Sequence, residues 1–244
     1  MLRLPLNKPK NPLTVPAPFD KVPIHTETTK LNTMRTKALF VAAATGLAAL
    51  TTSMAQVYSV NVVGYINVDL VAGFNMIANQ LDNGSGNVAW ELLDGQVDDG
   101  TVIYKFNTTT GGYDILVYDV IWDGATDMTL APGEGCFVQA PAAKTVTFVG
   151  EVLEGSQDVA IPAGFSMFSA VAPVATDLSA ASVAWPAVDG DVFYAWDAGI
   201  QNYSITVFDI IWDPAPLTLA VGQSAWVNKG AAATWTRDFT VPRN

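Results

Sequence analysis

The chain has 244 residues, a formal net charge of −11 at pH 7, 50% hydrophobic residues and a single cysteine. The acidic balance makes nucleic acid and anionic membrane surfaces poor partners, because both require a basic footprint. One thiol excludes an intramolecular disulfide, so the fold must depend on its core.

The segment before Gln56 is predicted to be a leader outside the fold. Residues 34–55 combine a positive start, an apolar run at 38–50 and small residues at Ser53 and Ala55. This order predicts a secretory signal peptide, with a buried helix as the alternative; the apolar run is too short to span a bilayer. Residues 1–33 precede a complete signal and contain the only histidine, His25. We expect them to be disordered or a gene-prediction extension upstream of Met34.

The mature chain is then predicted to begin near Gln56. From there it carries five basic and 21 acidic side chains, a net charge of −16. No later apolar run is long enough for a membrane anchor. We therefore expect a secreted protein that is extracellular, periplasmic or held on the cell surface.

Two copies of one unit follow in tandem. The segment AGFNMIA at 72–78 returns as AGFSMFS at 163–169, and DGTVIYKFN at 99–107 returns as DGDVFYAWD at 189–197. The segment YDILVYDVIWD at 113–123 returns as YSITVFDIIWD at 203–213. An unchanged order with a nearly constant offset is typical of tandem duplication. We predict β repeat 1 at 56–153 and β repeat 2 at 154–244.

Each copy has the pattern of β-structure. The segment 57–70 alternates apolar and polar residues, and 101–106 and 113–121 flank a Gly-bearing connection of hairpin type. The one helical candidate is GNVAWELLDG at 86–95. The predicted fold class is all-β, with two tandem antiparallel sandwich-like or barrel-like repeats of five or six strands. One sheet system shared by both copies is the alternative.

The repeated segment at 113–123 contains the best candidate site residues. On one extended strand, five side chains of each copy share a face and are identical: Tyr113, Ile115, Val117, Asp119 and Ile121 match Tyr203, Ile205, Val207, Asp209 and Ile211. Because this face is mostly apolar and β-favouring, we predict that it faces the core.

Two pairs of residues in this segment allow two interpretations. Asp119 and Asp209 interrupt the apolar face, so each is expected to accept backbone N–H groups at a bend or to lie where the strand leaves the sheet. A ligand or metal contact is the alternative. Trp122 and Trp212 either cover the rim of the core or present a flat ring to a ligand.

Several catalytic chemistries lack their residues. The mature chain has no histidine, and Cys136 lies in an apolar strand pattern that predicts a buried filler, which excludes His triads and ordinary zinc sites. Asp119 and Asp123 would lie about 13 Å apart on one strand, beyond the ~5–9.5 Å of glycosidase pairs. We therefore predict no enzyme activity and no cofactor. The loop DNGSGN at 82–87 could offer oxygen ligands to calcium, although a polar turn is the simpler interpretation.

Three stretches carry a resemblance. At AGFNMIANQLDN (72–83), DGTVIYKFNTTTGGY (99–113) and LAPGEGCFVQAPAAKTVTFVGE (130–151), the chain resembles a group of uncharacterised secreted proteins from planctomycete–verrucomicrobial bacteria. The AGF–MIAN and PGEG–FV elements are loosely similar to β-rich modules of bacterial surface proteins. The resemblance implies export and architecture but no activity.

These observations support three functional hypotheses. The first is a non-catalytic structural protein of the surface or extracellular matrix, with envelope components as partners. The second is a glycan-binding module in which Tyr113, Trp122, Tyr203 and Trp212 stack on a polysaccharide. Solvent exposure of those rings would separate the two. The third is a carboxylate-dependent hydrolase, which requires two carboxyl groups at catalytic distance in a cleft.

Overall fold

The computed structural model describes residues 62–243, which belong to one compact unit that spans Ser59–Asn244. The predicted leader at 1–33, the signal peptide at 34–55 and the start of repeat 1 at 56–61 lie outside the described residues. Within the described part, no helix is long and apolar enough to cross a membrane.

The fold is all-β, as predicted. Its one α-helix in this part of the chain, α1 at Ala89–Leu93, lies in the segment predicted to be helical. The strands are β1 Val63–Leu70, β2 Gly73–Ile77, β3 Thr101–Asn107, β4 Gly112–Asp119, β5 Ile121–Gly124, β6 Cys136–Ala140, β7 Lys144–Glu151, β8 Gly155–Ile161, β9 Gly164–Ser169, β10 Thr176–Asp177, β11 Asp191–Asp197, β12 Asn202–Asp209, β13 Ile211–Asp213, β14 Thr218–Leu219, β15 Ser224–Lys229 and β16 Ala233–Phe239.

Each repeat forms one five-stranded antiparallel sheet and one two-stranded ribbon. The strand order is β2-β6-β3-β4-β5 in the first sheet, and β9-β15-β11-β12-β13 in the second. The ribbons are β1-β7 and β8-β16, and β10 pairs with β14. Equivalent strands occupy equivalent places, and neither sheet closes into a barrel.

The core of each repeat lies between its sheet and its ribbon. In the first repeat Ile66 and Phe148 of the ribbon pack in one buried cluster with Ile103 and Leu116 of the sheet. In the second, Trp235 of the ribbon packs with side chains of the sheet. Alternation along each strand therefore directs one set of side chains to this core and the other set to the opposite face of the sheet.

Those opposite faces, here called the inner faces, meet between the two repeats. Met76, Phe137 and Trp226 are buried there, and partly buried side chains surround them: Tyr104, Phe106, Met167, Tyr194 and Trp196. The layers therefore run ribbon, sheet, sheet, ribbon, and the inner face of one copy packs against that of its duplicate.

Reciprocal backbone hydrogen bonds relate the copies by a pseudo-two-fold axis. The amide of Ala78 donates to the carbonyl of Gly222 at 2.9 Å, and the amide of Ser169, which is equivalent to Ala78, donates to Gly133 at 3.0 Å. Gly135 lies against Ser224, which is its equivalent in the second copy. A Cβ atom placed on Gly135 would lie 2.5 Å from Cβ of Ser224. The axis passes between these two residues.

The prediction of one long strand at 113–121 is wrong. The chain reverses at Val120, and β5 returns beside β4 with Ile121 opposite Asp119. Val120 has φ of 64°, and its amide donates to Oδ1 of Asp99 at 2.9 Å. The second copy repeats this turn at Ile210, with φ of 65°. The carboxylate that holds the turn precedes the whole β3–β4 hairpin, so local alternation could not indicate it.

Candidate functional site

The inner faces of β4 and β12 are uncovered at the edges of the sandwich. Leu116 is buried in the core, whereas Tyr113 and Ile115 on the other face are 47% and 43% exposed. In the second copy Tyr203 and Ile205 are 37% and 52% exposed. The prediction that this face is core is wrong, because the opposite sheet covers the inner strands β2, β6 and β3 but not β4 and β5.

Two clefts lie where an uncovered strand meets the opposite sheet. The first cleft has a volume of about 420 Å³ and is lined by Phe74, Tyr104, Tyr113, Ile115, Phe137, Trp196 and Tyr203. The second has a volume of about 500 Å³ and is lined by Tyr113, Phe165, Tyr194, Asn202, Tyr203, Ile205 and Trp226. The clefts are pseudo-two-fold equivalents that share Tyr113 and Tyr203. We call them the aromatic clefts.

The aromatic side chains in the clefts hold one another in place. Tyr113 meets Tyr104 edge to face with ring centroids 6.1 Å apart, and Tyr203 meets Tyr194 at the same distance. The ring of Phe74 lies 5.9 Å from Phe137. Edge-to-face pairs at such distances are favourable. The clefts are therefore preformed, since each ring is already fixed by its neighbours.

The chemistry of the clefts is apolar and uncharged. Among the described residues, no ionisable side chain other than tyrosine lines either cleft. Burial raises the pKa of both Tyr113 and Tyr203, so their hydroxyls stay neutral donors near neutral pH. The amide of Asn202 adds a polar group to the second cleft. Such walls suit a neutral ligand with an apolar face and several hydroxyl groups.

Trp122 and Trp212 lie outside these clefts. Both are half-buried on the core side of their hairpins. The indole N–H of Trp122 donates to Oδ1 of Asp94 at 3.0 Å, and its ring lies 4.9 Å from that of Tyr118. The ring centroids of Trp212 and Phe193 lie 5.1 Å apart. Both indoles therefore pack against the rim of the core, and Trp122 also lines an open cavity of about 500 Å³ with Trp90 and Tyr118.

Asp119 and Asp209 are the exposed last residues of β4 and β12. The turn at Val120 makes Asp123 a diagonal neighbour of Asp119, at about 7–8 Å, so the longer distance argued from an extended strand is wrong. The carboxylates of Asp119, Asp123 and Asp209 are exposed, and none of them lines an aromatic cleft. The carboxylates that accept a backbone N–H group at the bend are those of Asp99 and, in the second copy, Asp189.

A separate cavity of about 530 Å³ does contain carboxylates, namely Asp114, Glu134 and Asp158. Each already has a structural partner. Glu134 pairs with Lys105 at 2.7 Å and accepts from the amide of Ala131. Asp114 accepts from the side-chain amide of Asn107 and Asp158 from the hydroxyl of Thr236. These contacts explain the three carboxylates as parts of the scaffold.

The loop at 82–87 is closed by its own hydrogen bonds. Oδ1 of Asp82 accepts from the amide of Gly84, and Oδ1 of Asn83 accepts from the amides of Ser85 and Asn87. Within residues 62–243 no group of three or more His, Cys, Asp or Glu side chains could hold a metal ion. Cys136 is buried, as predicted, and burial raises its pKa to about 12.

Sequence reasoning identified Tyr113 and Tyr203 but missed the rest of the cleft walls. The missed rings are Phe74, Tyr104, Phe137, Phe165, Tyr194, Trp196 and Trp226. A signal was present, because each of these positions has an aromatic residue in both copies. The packing of one repeat against the other brings these rings together, and the sequence of one repeat alone does not predict that packing.

Comparisons of the chain with protein families, curated proteins and solved structures found no match.

Proposed function

We propose that the chain is a non-catalytic protein of the cell surface or extracellular matrix that binds a neutral polysaccharide in its aromatic clefts. The observation that supports this proposal is the pair of uncovered apolar faces. Tyr113 and Ile115 of the first copy are repeated as Tyr203 and Ile205, and both pairs line preformed clefts.

The polarity of the cleft walls favours a sugar polymer. A pyranose ring has a C–H face that can pack on an aromatic ring and a rim of hydroxyl groups that can bond to Tyr and Asn side chains. A net charge of −16 on the predicted mature chain would repel anionic polymers. A neutral chain avoids that repulsion.

The duplication favours a repeating ligand. The two clefts share Tyr113 and Tyr203, so neighbouring units of one polymer can occupy both clefts. Binding at the second cleft then becomes intramolecular, which raises the apparent affinity without any new kind of contact. Two moderate sites would in this way hold a long polymer firmly.

We propose no catalytic role for the carboxylates. Asp119 and Asp209 lie on open surface, and the carboxylates of the separate cavity hold structural partners. A structural protein that works by self-assembly is a second candidate, and the exposed turns at Val120 and Ile210 favour it.

Tryptophan fluorescence of the chain from Gln56 onward would test the proposal against a panel of neutral polysaccharides. Trp196 and Trp226 line the clefts, so we expect a saturable change in emission that does not depend on calcium. Replacing Tyr113 and Tyr203 together by Ala should weaken binding about tenfold or more, since loss of ~1.4 kcal/mol of contact is tenfold.

The matched control is Trp122→Ala with Trp212→Ala, which removes two rings outside the clefts and should leave binding unchanged. If no neutral polysaccharide changes the emission, the proposed ligand class is wrong. If the tryptophan control loses binding and the tyrosine variant keeps it, the proposed site is wrong.

A further inference from the structure

Each sheet ends in a turn that exposes two adjacent aliphatic side chains, here called the hairpin tips and defined as Val120 with Ile121 and Ile210 with Ile211. These four side chains are 72%, 71%, 77% and 70% exposed, in that order. The pair occurs in both copies at the same place. Because burial of large apolar side chains is favourable, an exposed pair of this kind in each copy indicates a contact with a partner.

The turn is built at a cost to the fold. Val120 and Ile210 have φ of 64° and 65°, a conformation in which a β-branched side chain is strained. Glycine or asparagine would fit this turn without that strain. Strain that is kept at exposed positions in both copies points to a role for the side chains themselves.

Hydrogen bonds to two carboxylates fix the backbone of the hairpin tips. The amides of Val120 and Ile210 donate to the carboxylates of Asp99 and Asp189 at 2.9 and 2.8 Å. Trp122 lies opposite Tyr118 across the same hairpin. A preformed apolar projection loses little conformational freedom when it binds.

We propose that the hairpin tips bind a second copy of this chain. Ile121 lies on the same face of the sheet as Ile115 and Val117, so each tip continues an inner face beyond the edge of the sandwich. Inside the molecule that face already packs against its own duplicate. The ring centroids of Phe106 and Trp226 lie 4.9 Å apart, and those of the equivalent pair, Trp196 and Phe137, lie 5.5 Å apart.

A second molecule offers the same apolar tips, which lie outside the residues that line the aromatic clefts. Acidic residues flank the tips, namely Asp119, Asp123, Asp209 and Asp213. These carboxylates disfavour binding to an anionic lipid surface. They also repel the equivalent carboxylates of a second copy. Salt screens such repulsion, so association through the tips strengthens as salt concentration rises.

Sedimentation velocity of the chain from Gln56 onward tests this inference over a range of protein and salt concentrations. The expected result is a weight-average mass that rises above that of the monomer with concentration, and more steeply at high salt. Replacing Ile121 and Ile211 together by Ser should weaken this association at least about tenfold, because the lost apolar contact is worth more than ~1.4 kcal/mol.

Ile200→Ser is the matched control. Ile200 is 71% exposed but lies in the turn between β11 and β12, so its loss should leave association unchanged. A wild-type chain that stays monomeric throughout, or a tip variant that associates as strongly as the wild type, overturns the inference. Tip-dependent binding to phosphatidylcholine vesicles without self-association also overturns it, because a lipid surface would then be the occupant.

This inference deepens the second candidate function, self-assembly, and it uses residues outside the aromatic clefts. Tyr113→Ala with Tyr203→Ala should weaken polysaccharide binding and keep self-association, whereas the tip variant should weaken self-association and keep polysaccharide binding. The two proposals can therefore fail separately.

Discussion

Val120 and Ile210 are the β-branched residues of the described chain that have positive φ. A left-handed conformation costs an L-residue about 1–2 kcal/mol, whereas glycine adopts it freely. The fold therefore gives up stability at two exposed positions where the side chain contributes nothing to a core.

Ile210→Gly should raise the free energy of unfolding by about 0.5–1 kcal/mol, because relief of strain outweighs the greater freedom of glycine in the unfolded chain. Chemical denaturation of the chain from Gln56 onward would measure this change. The matched control is Ile211→Gly, an equally exposed neighbour without positive φ, which should lower the same free energy by about 0.5–1 kcal/mol. Equal effects of the two variants would show that strain at Ile210 is negligible.

Residue periodicity was predictable from the sequence, but the direction of the faces was not. The alternation that separates Tyr113 and Ile115 from Leu116 is correct in the structure. The assignment of the first two to the core is wrong, because an apolar and β-favouring face is buried only where another element covers it. Nothing in one strand indicates how far the opposite sheet extends over it.

At the scale of elements, the glycine turn before β6 and its equivalent before β15 join the two copies. Gly133 and Gly222 have φ of 95° and 77°, and their carbonyls accept the reciprocal bonds across the pseudo-two-fold axis. A Cβ on Gly222 would lie 2.5 Å from Cγ2 of Val68, in the ribbon of the other repeat. Only glycine fits this approach without displacing the ribbon.

Gly222→Ala should therefore lower the free energy of unfolding by about 2–4 kcal/mol, which combines left-handed strain with overpacking. Gly84→Ala separates the two causes, since Gly84 has φ of 73° but open space around its Cβ position. It should cost about 1 kcal/mol. Thermal or chemical denaturation measures both, and a Gly222→Ala variant no less stable than Gly84→Ala would contradict the close approach.

Among the elements, the hairpin of β3 and β4 and the helix α1 could be predicted because local residues specify them. The turn at Val120 could not. The apolar residues there continue the strand pattern, and the group that holds the turn, the Asp99 carboxylate, is distant in sequence. A long-range hydrogen bond here overrides a local preference for an extended strand.

At the scale of the whole molecule, duplication produced a fold whose central packing is between the copies. The sequence predicted two equivalent units, but it left open how they meet. The sheets overlap only over their inner strands, and the uncovered strands β4 and β12 create both the aromatic clefts and the hairpin tips. One arrangement of two sheets thus provides two kinds of surface, each present twice.

The proposed function requires that the two aromatic clefts are equivalent binding sites. Its most direct test is the stoichiometry of a short neutral oligosaccharide, of a class that binds in the fluorescence panel and is too short to reach both clefts, measured by calorimetric titration. We predict two sites in the wild-type chain. We predict one site in Phe165→Ala, because Phe165 is an exposed ring that lines the second cleft and not the first. A single site in the wild type, or two sites that survive the Phe165→Ala substitution, would contradict the account.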